Sequence, residues 1–499
     1  MKKILASKSL NILMLISIAS KGMGFLRDLI LTYVWGADGI SDAFIISMTI
    51  PGTVCDLLVQ AIAVGYIPIY TNTRINKSEH NALEFTNSFI ALLLLCCIPL
   101  CICIILFPNV VIKIFASGFN ETTTYTSALF IRITILSIMC KMIVSVLSGF
   151  LQSNNKYVVP ALIGIPFDVV IILGILLSRK LNIIVMPISV VLAGVIQAII
   201  ILRTSKIGFG WLAPKKVLTN ETKSVIRLII PLLIIVGTNQ LNVIVDRTFA
   251  SYVQVGAVTI LDYANKLCLM IENVVVLSIV AILYPRLSEA SAQKNKIEFA
   301  ESLAKAANKI VLYLFPVCIV IVLISNNIVS FLFGRGQFTE QNVYDTARCM
   351  SFYSVGVCFV ALRTIYTRAL YAIGKVRYVT FVSVIVLVAN ILLNYVMSKW
   401  LGLKGLAFAT SLSSMINAVL LSVNIKKSNP YFRVANLKPV LHALAISIIL
   451  YASISITTYL IKTIGLTGKI SDFVIIFVTG VCYLILVFLS ERRLKEVLL

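Results

Sequence analysis

Apolar segments of about 20 residues recur from one end of this chain to the other. Of its 499 residues, 59% are hydrophobic and only 13% are charged. A helix of that length spans a bilayer, and it satisfies its own backbone hydrogen bonds, as hydrocarbon requires. The pattern predicts an all-α polytopic membrane protein with about 14 spans. An even number of spans places both termini on the same side of the membrane.

Basic residues concentrate in the loops on one side of the predicted membrane. They include Lys2 and Lys3 at the N-terminus, Lys215 and Lys216 in the middle of the chain, and Arg493 near the C-terminus. The positive-inside rule makes this side, and both termini, cytoplasmic. The formal net charge of +23 is then mainly a sign of topology. It indicates basic loops on anionic lipid headgroups and does not indicate a nucleic-acid partner.

The two halves of the chain resemble each other when displaced by about 220 residues. Asp42 matches Asp262, and Tyr157 matches Tyr378. The repeat predicts a first lobe of six spans over residues 1–204, a cytoplasmic linker over 205–222, a second lobe of six spans over 223–428, and two further spans over 429–499. A parallel repeat places the binding site between the lobes, where alternating access exposes it to either side.

Ionisable residues inside the apolar segments occur mainly in the first two spans of each lobe. A charged side chain in hydrocarbon costs on the order of 3 kcal/mol, so it normally faces a bundle interior or a wet cavity. We therefore expect these residues to line a shared polar chamber with a cationic part. They are Lys21, Arg27, Asp28, Asp42 and Asp56 in the first lobe and Asp246, Arg247, Asp262, Lys266 and Glu272 in the second, with Arg132, Lys141, Asp168, Arg363 and Arg368 more scattered.

A partly cationic chamber favours an anionic cargo such as a lipid-linked pyrophosphate, because lysine and arginine bind phosphates well. An alternative stays open for each pair: Asp262 and Lys266, four residues apart on a helix, can simply neutralise each other. No P-loop, HExxH or GxSxG motif occurs in the sequence, so it does not predict an enzyme. Transport would then be driven by an ion gradient or by the membrane potential.

Six segments carry a resemblance to a known family. They are residues 20–28 (Ser-Lys-Gly-Met-Gly-Phe-Leu-Arg-Asp), 41–44 (Ser-Asp-Ala-Phe), 67–69 (Ile-Pro-Ile), 263–267 (Tyr-Ala-Asn-Lys-Leu), 283–288 (Leu-Tyr-Pro-Arg-Leu-Ser) and 333–339 (Phe-Gly-Arg-Gly-Gln-Phe-Thr). They resemble the MurJ/MviN lipid II flippases, and the likeness covers nearly the full chain. It implies the MATE-like fold of the MOP exporter superfamily, with 14 helices. Two six-helix lobes would surround a cationic cavity, and the last two helices would form a groove for a polyprenyl tail.

The resemblance also implies a function. The chain would move lipid II, the undecaprenyl-pyrophosphate-linked peptidoglycan precursor, from the inner to the outer leaflet of the bacterial cytoplasmic membrane. Cell-wall synthesis enzymes would be potential partners. Arg27, Asp28 and Asp42 carry over as substrate-binding positions, while Lys21 and Lys266 stand where the family commonly has arginine.

Three other functions remain open at this point. Lysine keeps the charge of arginine but loses its bidentate fork, so the cargo could be another lipid-linked oligosaccharide. A MATE-type cation-coupled drug exporter is a second alternative, although a basic cavity suits cationic drugs poorly. A membrane scaffold for cell-wall enzymes is the third, and it gives no reason for cations inside the spans.

The resemblance further implies a coupling ion, because some members of the family couple transport to sodium. Asp246, Asn390 and Asn394 offer the carboxylate and amide oxygens that a hard cation prefers. Alternatively, Asp246 only neutralises Arg247 or a lysine of the cavity. The sequence predicts no cofactor and no firm metal site.

Overall fold

The computed structural model describes residues 2–214, 216–432 and 437–493, apart from the side chains of residues 2–14, 57–61, 63–64, 229–236, 239 and 437. Lys215, the residues after Arg493, and the side chains of Lys2 and Lys3 therefore lie outside the described part. Every long element within it is a helix, which confirms the all-α prediction.

The chain forms two compact units, Met1–Ile244 and Val245–Leu499, which divide inside one long helix. The helices of the first unit are α1 (Lys2–Trp35), α2 (Gly39–Ala61), α3 (Ile67–Asn76), α4 (Glu79–Leu106), α5 (Pro108–Ala116), α6 (Glu121–Thr134), α7 (Ser137–Ser153), α8 (Val158–Leu162), α9 (Gly164–Ser178), α10 (Val185–Ser205) and most of α11 (Asn220–Ser251). A π-helical turn, Ile62–Tyr66, joins α2 to α3, and a 3-10 turn, Gly210–Leu212, precedes α11.

The second unit begins with the end of α11. Its helices are α12 (Ala257–Ala292), α13 (Lys296–Phe333), α14 (Glu340–Ala372), α15 (Val376–Leu401), α16 (Leu403–Ser428), α17 (Leu437–Ile464) and α18 (Lys469–Arg493). Helix α14 packs against α12, α13 and α16, while α17 and α18 pack against α13 and each other. The predicted lobe boundaries remain a prediction.

Ten helical segments within the described residues are long and apolar enough to cross a membrane. The pair α6 and α7, bent by 45°, makes eleven if it counts as one broken span. Three more helices, α1, α2 and α11, contain 34, 23 and 32 residues and include side chains outside the described set. The number of 14 spans therefore remains a prediction, whereas the multi-pass helical architecture is established.

Helix boundaries repeat between the two units, as the internal repeat predicts. Helix α6 begins at Glu121 and α14 begins at Glu340, 219 residues later. The side chains of Asn120 and Thr339 cap these two helices by accepting a hydrogen bond from a backbone N–H of the first turn. A distance of 219 residues therefore separates the first residues of these two helices and also the residues that cap them.

One glycine allows two helices of the second unit to approach closely. A Cβ on Gly356 of α14 would be 2.7 Å from the Cα of Ser411 on α16. Only glycine permits such close backbone contact. At Gly164, the start of α9, a Cβ would meet only the side chain of Ser20 on α1, which can rotate away.

Candidate functional site

The first unit holds Arg27 between two carboxylates. Its Nη1 donates to Oδ1 of Asp168 on α9 at 2.9 Å, and its Nη2 donates to Oδ1 of the adjacent Asp28 at 3.0 Å. The side chains of Arg27, Asp28 and Asp168 are only 18%, 9% and 10% exposed. A guanidinium is suited to this place because its planar fork reaches two acceptors at once. The group joins α1 to α9 with a charge-assisted network that is largely withdrawn from solvent.

Two more cations belong to the first unit. Lys141 on α7 is half-buried, with its ammonium nitrogen 5.8 Å from the ring centroid of Phe167. It interacts electrostatically with Asp56 and with Arg27. Lys21 is exposed on α1, two turns before Asp28. The structure therefore places Lys141 in the electrostatic environment of Arg27.

Asp42 lies in the first turn of α2 and is fully buried. Arg27 lies eight residues before the end of α1 at Trp35, which corresponds to about 12 Å along the helix axis. Asp42 thus lies at the start of its helix, next to the turn that follows α1. In the same turn the hydroxyl of Ser41 donates a hydrogen bond to Asp38. Its assignment as a substrate-binding residue stays a prediction.

The second unit holds a cluster of two cations and one carboxylate. Asp262 on α12 accepts from Nη2 of Arg247 at 2.8 Å through Oδ1, and its Oδ2 lies 2.7 Å from Nζ of Lys266. The ammonium of Lys266 also lies 5.2 Å from the ring centroid of Tyr263. The Lys266 side chain is 38% exposed, whereas those of Arg247 and Asp262 are 16% and 11% exposed. The predicted pairing of Asp262 with Lys266 is present, and the three groups together keep an excess positive charge.

A second polar group in this unit surrounds Asp246. Its Oδ1 accepts from Nδ2 of Asn394 at 2.7 Å, and its Oδ2 accepts from the hydroxyl of Thr410 at 3.2 Å. Nδ2 of Asn394 also donates to Oδ1 of Asn390 at 3.1 Å. The structure thus brings together Asp246, Asn390 and Asn394 and adds Thr410 of α16.

The side chains around Asp246 carry oxygens of the kind that hard cations bind, although Asn394 turns its Nδ2 toward the carboxylate. Asn394 is fully buried, and within the described part of the chain its Oδ1 has no hydrogen-bond partner. A buried acceptor without a donor is rare and calls for an explanation such as an ion. One carboxylate, two amides and a hydroxyl supply oxygen ligands only, which hard cations prefer. Among the described residues no group of three or more His, Cys, Asp or Glu could hold a metal ion.

Five residues of these groups were outside the predicted substrate-binding and cation sites: Asp168, Lys141, Arg247, Asp262 and Thr410. The four charged ones are recognisable in the sequence as charges within apolar helices, which is a signal of function or of pairing, and they belong to the set expected to line the chamber. The sequence could not pair Asp168 with Arg27, since 141 residues separate them. Thr410 carries no such signal, because a hydroxyl is common in membrane helices and normally bonds to its own backbone.

Comparison with known proteins agrees with this architecture. A sequence model of the family described as "Lipid II flippase MurJ" matches residues 31–479. The "Probable lipid II flippase MurJ" of Buchnera aphidicola subsp. Baizongia pistaciae is 27% identical over 421 residues, which cover 83% of this chain and 82% of the relative.

Solved structures share the fold. A structure titled "Lipid II flippase MurJ, inward closed conformation" has a TM-score of 0.81 at 23% identity and covers 97% of this chain and 99% of its own. An inward-facing multidrug resistance MATE family transporter of the MOP superfamily has a TM-score of 0.69 at 13% identity, covering 81% and 93%. These likenesses confirm the predicted MATE-like fold. The family match extends over most of the sequence, and the chain therefore belongs to the lipid II flippase MurJ family.

Proposed function

We propose that this protein moves lipid II across the bacterial inner membrane, in which it is a multi-pass protein. Family membership supports this proposal, because the family and the curated relative carry that activity in their names. The proposed binding of the substrate rests on the cluster of Arg247, Asp262 and Lys266, in which two cations share one carboxylate. A pyrophosphate is the anionic group of lipid II that such a cluster would hold.

Binding of the pyrophosphate begins at Lys266. This side chain is 38% exposed, whereas the Asp262 side chain is 11% exposed, so the ammonium is the accessible partner of the pair. An incoming phosphate can therefore reach the ammonium and take the place of Asp262 on it. Arg247 is more buried and stays on Asp262, so it keeps the carboxylate fixed while Lys266 changes partner.

Alternating access would then carry the headgroup across while the lipid tail stays in the bilayer. Arg27 supports this step in the first unit by joining α1 to α9 through Asp168. A common chamber for the charged residues of both units stays a prediction. The proposed mechanism involves no covalent step, and the chain acts as a transporter driven by an ion gradient or by the membrane potential.

Sodium at Asp246 is the coupling ion that we propose. The carboxylate of Asp246, the amides of Asn390 and Asn394, and the hydroxyl of Thr410 would hold it. A bound sodium supplies a charge that can be moved down its gradient. The expected result is a rise in melting temperature of the purified protein in sodium chloride over potassium chloride at equal ionic strength, and loss of that rise in Asp246→Asn.

Orientation and partners complete the proposal. The basic loops place both termini in the cytoplasm, and cell-wall synthesis enzymes would supply and consume the transported precursor. A C-terminal fluorescent protein should fluoresce, and a C-terminal alkaline phosphatase should be inactive. The opposite pair of results would reverse the orientation.

The test of transport uses cells depleted of their own flippase. Wild-type protein should restore lipid II on the outer leaflet, Lys266→Ala should not, and Lys266→Arg should restore it because the positive charge remains. Lys180→Ala removes an exposed lysine after α9 and should behave as wild type. Failure of the wild-type chain, once its presence in the membrane is shown, would favour another lipid-linked oligosaccharide. Full activity of Lys266→Ala would refute the binding role.

A further inference from the structure

A cavity of about 340 Å³ lies in the second unit where several helix ends meet. The end of α12, the start of α13, the turn between α14 and α15, and the end of α16 form its wall. Lys294, Lys296 and Lys375 line it, and none of the described residues that line it is acidic. The nearby carboxylate of Glu298 accepts a hydrogen bond from the lining Asn295 at 3.0 Å, and three ammonium groups against this one carboxylate leave a positive potential that favours an anion.

Lys375 is held in position by neutral groups. Its ammonium donates to the hydroxyl of Ser428 at 2.7 Å and to Oδ1 of Asn424 at 3.2 Å. These hydrogen bonds orient the side chain but do not cancel its charge. The cavity therefore has a positioned cation on one wall, and the turn with Lys294 and Lys296 contributes the other two.

The start of α15 adds to the positive potential. This helix begins at Val376 without a side-chain cap, whereas the side chain of Asn295 caps α13 and Glu298 lies in the first turn of that helix. The first turn of α15 carries the positive end of the helix dipole and backbone N–H groups without helical acceptors. Anions bind readily at such places, and the lysines here supply full charges as well.

An exposed apolar stripe lies on α15 near the cavity. Phe381, Val384, Ile385 and Val388 form an exposed apolar stripe on α15, with exposures of 62%, 45%, 39% and 53%. Lys375 precedes Phe381 by six residues, or about 9 Å along the helix. Lipid phosphates lie just outside the hydrocarbon, at about this distance from the first lipid-facing side chains. Phe299 and Ile425 give the cavity an apolar part as well.

We propose that this cavity is a binding site for the phosphate of an anionic phospholipid headgroup. Basic pockets between membrane helices are suited to such headgroups. A lipid seated there would contact the turns between α12 and α13 and between α14 and α15, and so would link the ends of four helices. The site consists of other residues than the Lys266 cluster, and the proposal does not depend on the transported substrate.

Binding of phosphatidylglycerol to the purified full-length protein tests the proposal. The test variant carries Lys294→Gln, Lys296→Gln and Lys375→Gln. The control variant carries Lys156→Gln, Lys206→Gln and Lys223→Gln, three exposed lysines of the first unit, and so loses the same charge. Phosphatidylcholine serves as the zwitterionic lipid, and inorganic phosphate and glycerol 3-phosphate serve as soluble probes.

We expect the test variant to bind phosphatidylglycerol at least about tenfold more weakly, since each lysine near an anionic headgroup contributes to the affinity. The control variant and the corresponding triple arginine variant should stay within about twofold of wild type. Equal binding by the test and control variants, or equal binding of phosphatidylcholine, would overturn the proposal. Binding of the soluble phosphates as strong as that of the lipid would overturn the lipid assignment and make the site one for soluble phosphate compounds.

Discussion

Alanine at Gly356 would test whether the contact between α14 and α16 positions the proposed sodium site. A Cβ there would lie 2.7 Å from the Cα of Ser411, whereas ordinary contacts begin at 3.4 Å. The backbone of α16 must therefore retreat by about 0.7 Å to restore an ordinary contact, the difference between these two distances. Thr410 is the adjacent residue, and its hydroxyl lies 3.2 Å from Asp246. A displacement of that size is enough to take this contact beyond hydrogen-bonding range.

We expect Gly356→Ala to lower the free energy of unfolding by about 1–3 kcal/mol, the usual cost of forcing extra atoms into a packed contact. It should also remove most of the sodium-dependent rise in melting temperature. Thermal unfolding of the full-length protein in sodium and in potassium chloride measures both effects.

Gly480→Ala is the matched control for this prediction. Gly480 lies within α18, and a Cβ there has nothing within 4 Å. This alanine should be neutral, or should stabilise the helix by up to about 1 kcal/mol. An unchanged melting temperature and an unchanged sodium response in Gly356→Ala would refute the argument that this contact is tight and positions Thr410.

Three further substitutions have effects that follow from single contacts. Asp168→Ala should lower the free energy of unfolding by about 3 kcal/mol, because it leaves the largely buried Arg27 with less compensation, and unchanged thermal unfolding would contradict this. Asp472→Ala should cost about 1–3 kcal/mol, measured in the same way, because Asp472 accepts hydrogen bonds that join α13 to α18. A hydrogen bond from Lys77 lowers the pKa of Glu221, which lies in the first turn of α11 before its apolar stretch. The resulting stabilisation is present above the ordinary carboxyl pKa and is lost as the pH falls through the lowered pKa. It should not exceed about 0.5 kcal/mol, because the Lys77 side chain is 53% exposed. Lys77→Gln should abolish this pH dependence of the free energy of unfolding.

The helical architecture could be predicted because membrane helices are specified by local apolar runs. Capping residues such as Asn120 and Thr339 are likewise local signals, and they end up at equivalent places in the two units. Asp42 and Asp262, which the repeat matches with each other, stand at different positions in their helices. α2 begins at Gly39 and α12 at Ala257, so Asp42 is the fourth residue of its helix and Asp262 is the sixth.

That difference of two residues turns a side chain by about 200° around the helix axis. It accounts for the different surroundings of the two carboxylates: Asp42 is fully buried, while Asp262 meets Arg247 and Lys266. The partners of buried charges, such as Asp168 for Arg27, depend on contacts between distant segments. A single sequence does not contain that information, although it does show which charges need a partner.

The second unit keeps a guanidinium in the cluster although residue 266 is a lysine. Arg247 lies on the same carboxylate as Lys266, 2.8 Å from Asp262, and it supplies a planar guanidinium to the cluster. The two cations differ in freedom, since the side chain of Lys266 is 38% exposed and that of Arg247 is 16% exposed. The ammonium of Lys266 can exchange partners while the guanidinium of Arg247 stays on Asp262. Such a pair can bind a phosphate and release it again. The replacement of arginine by lysine therefore changes how the charge is presented and leaves the anionic character of the proposed substrate unchanged.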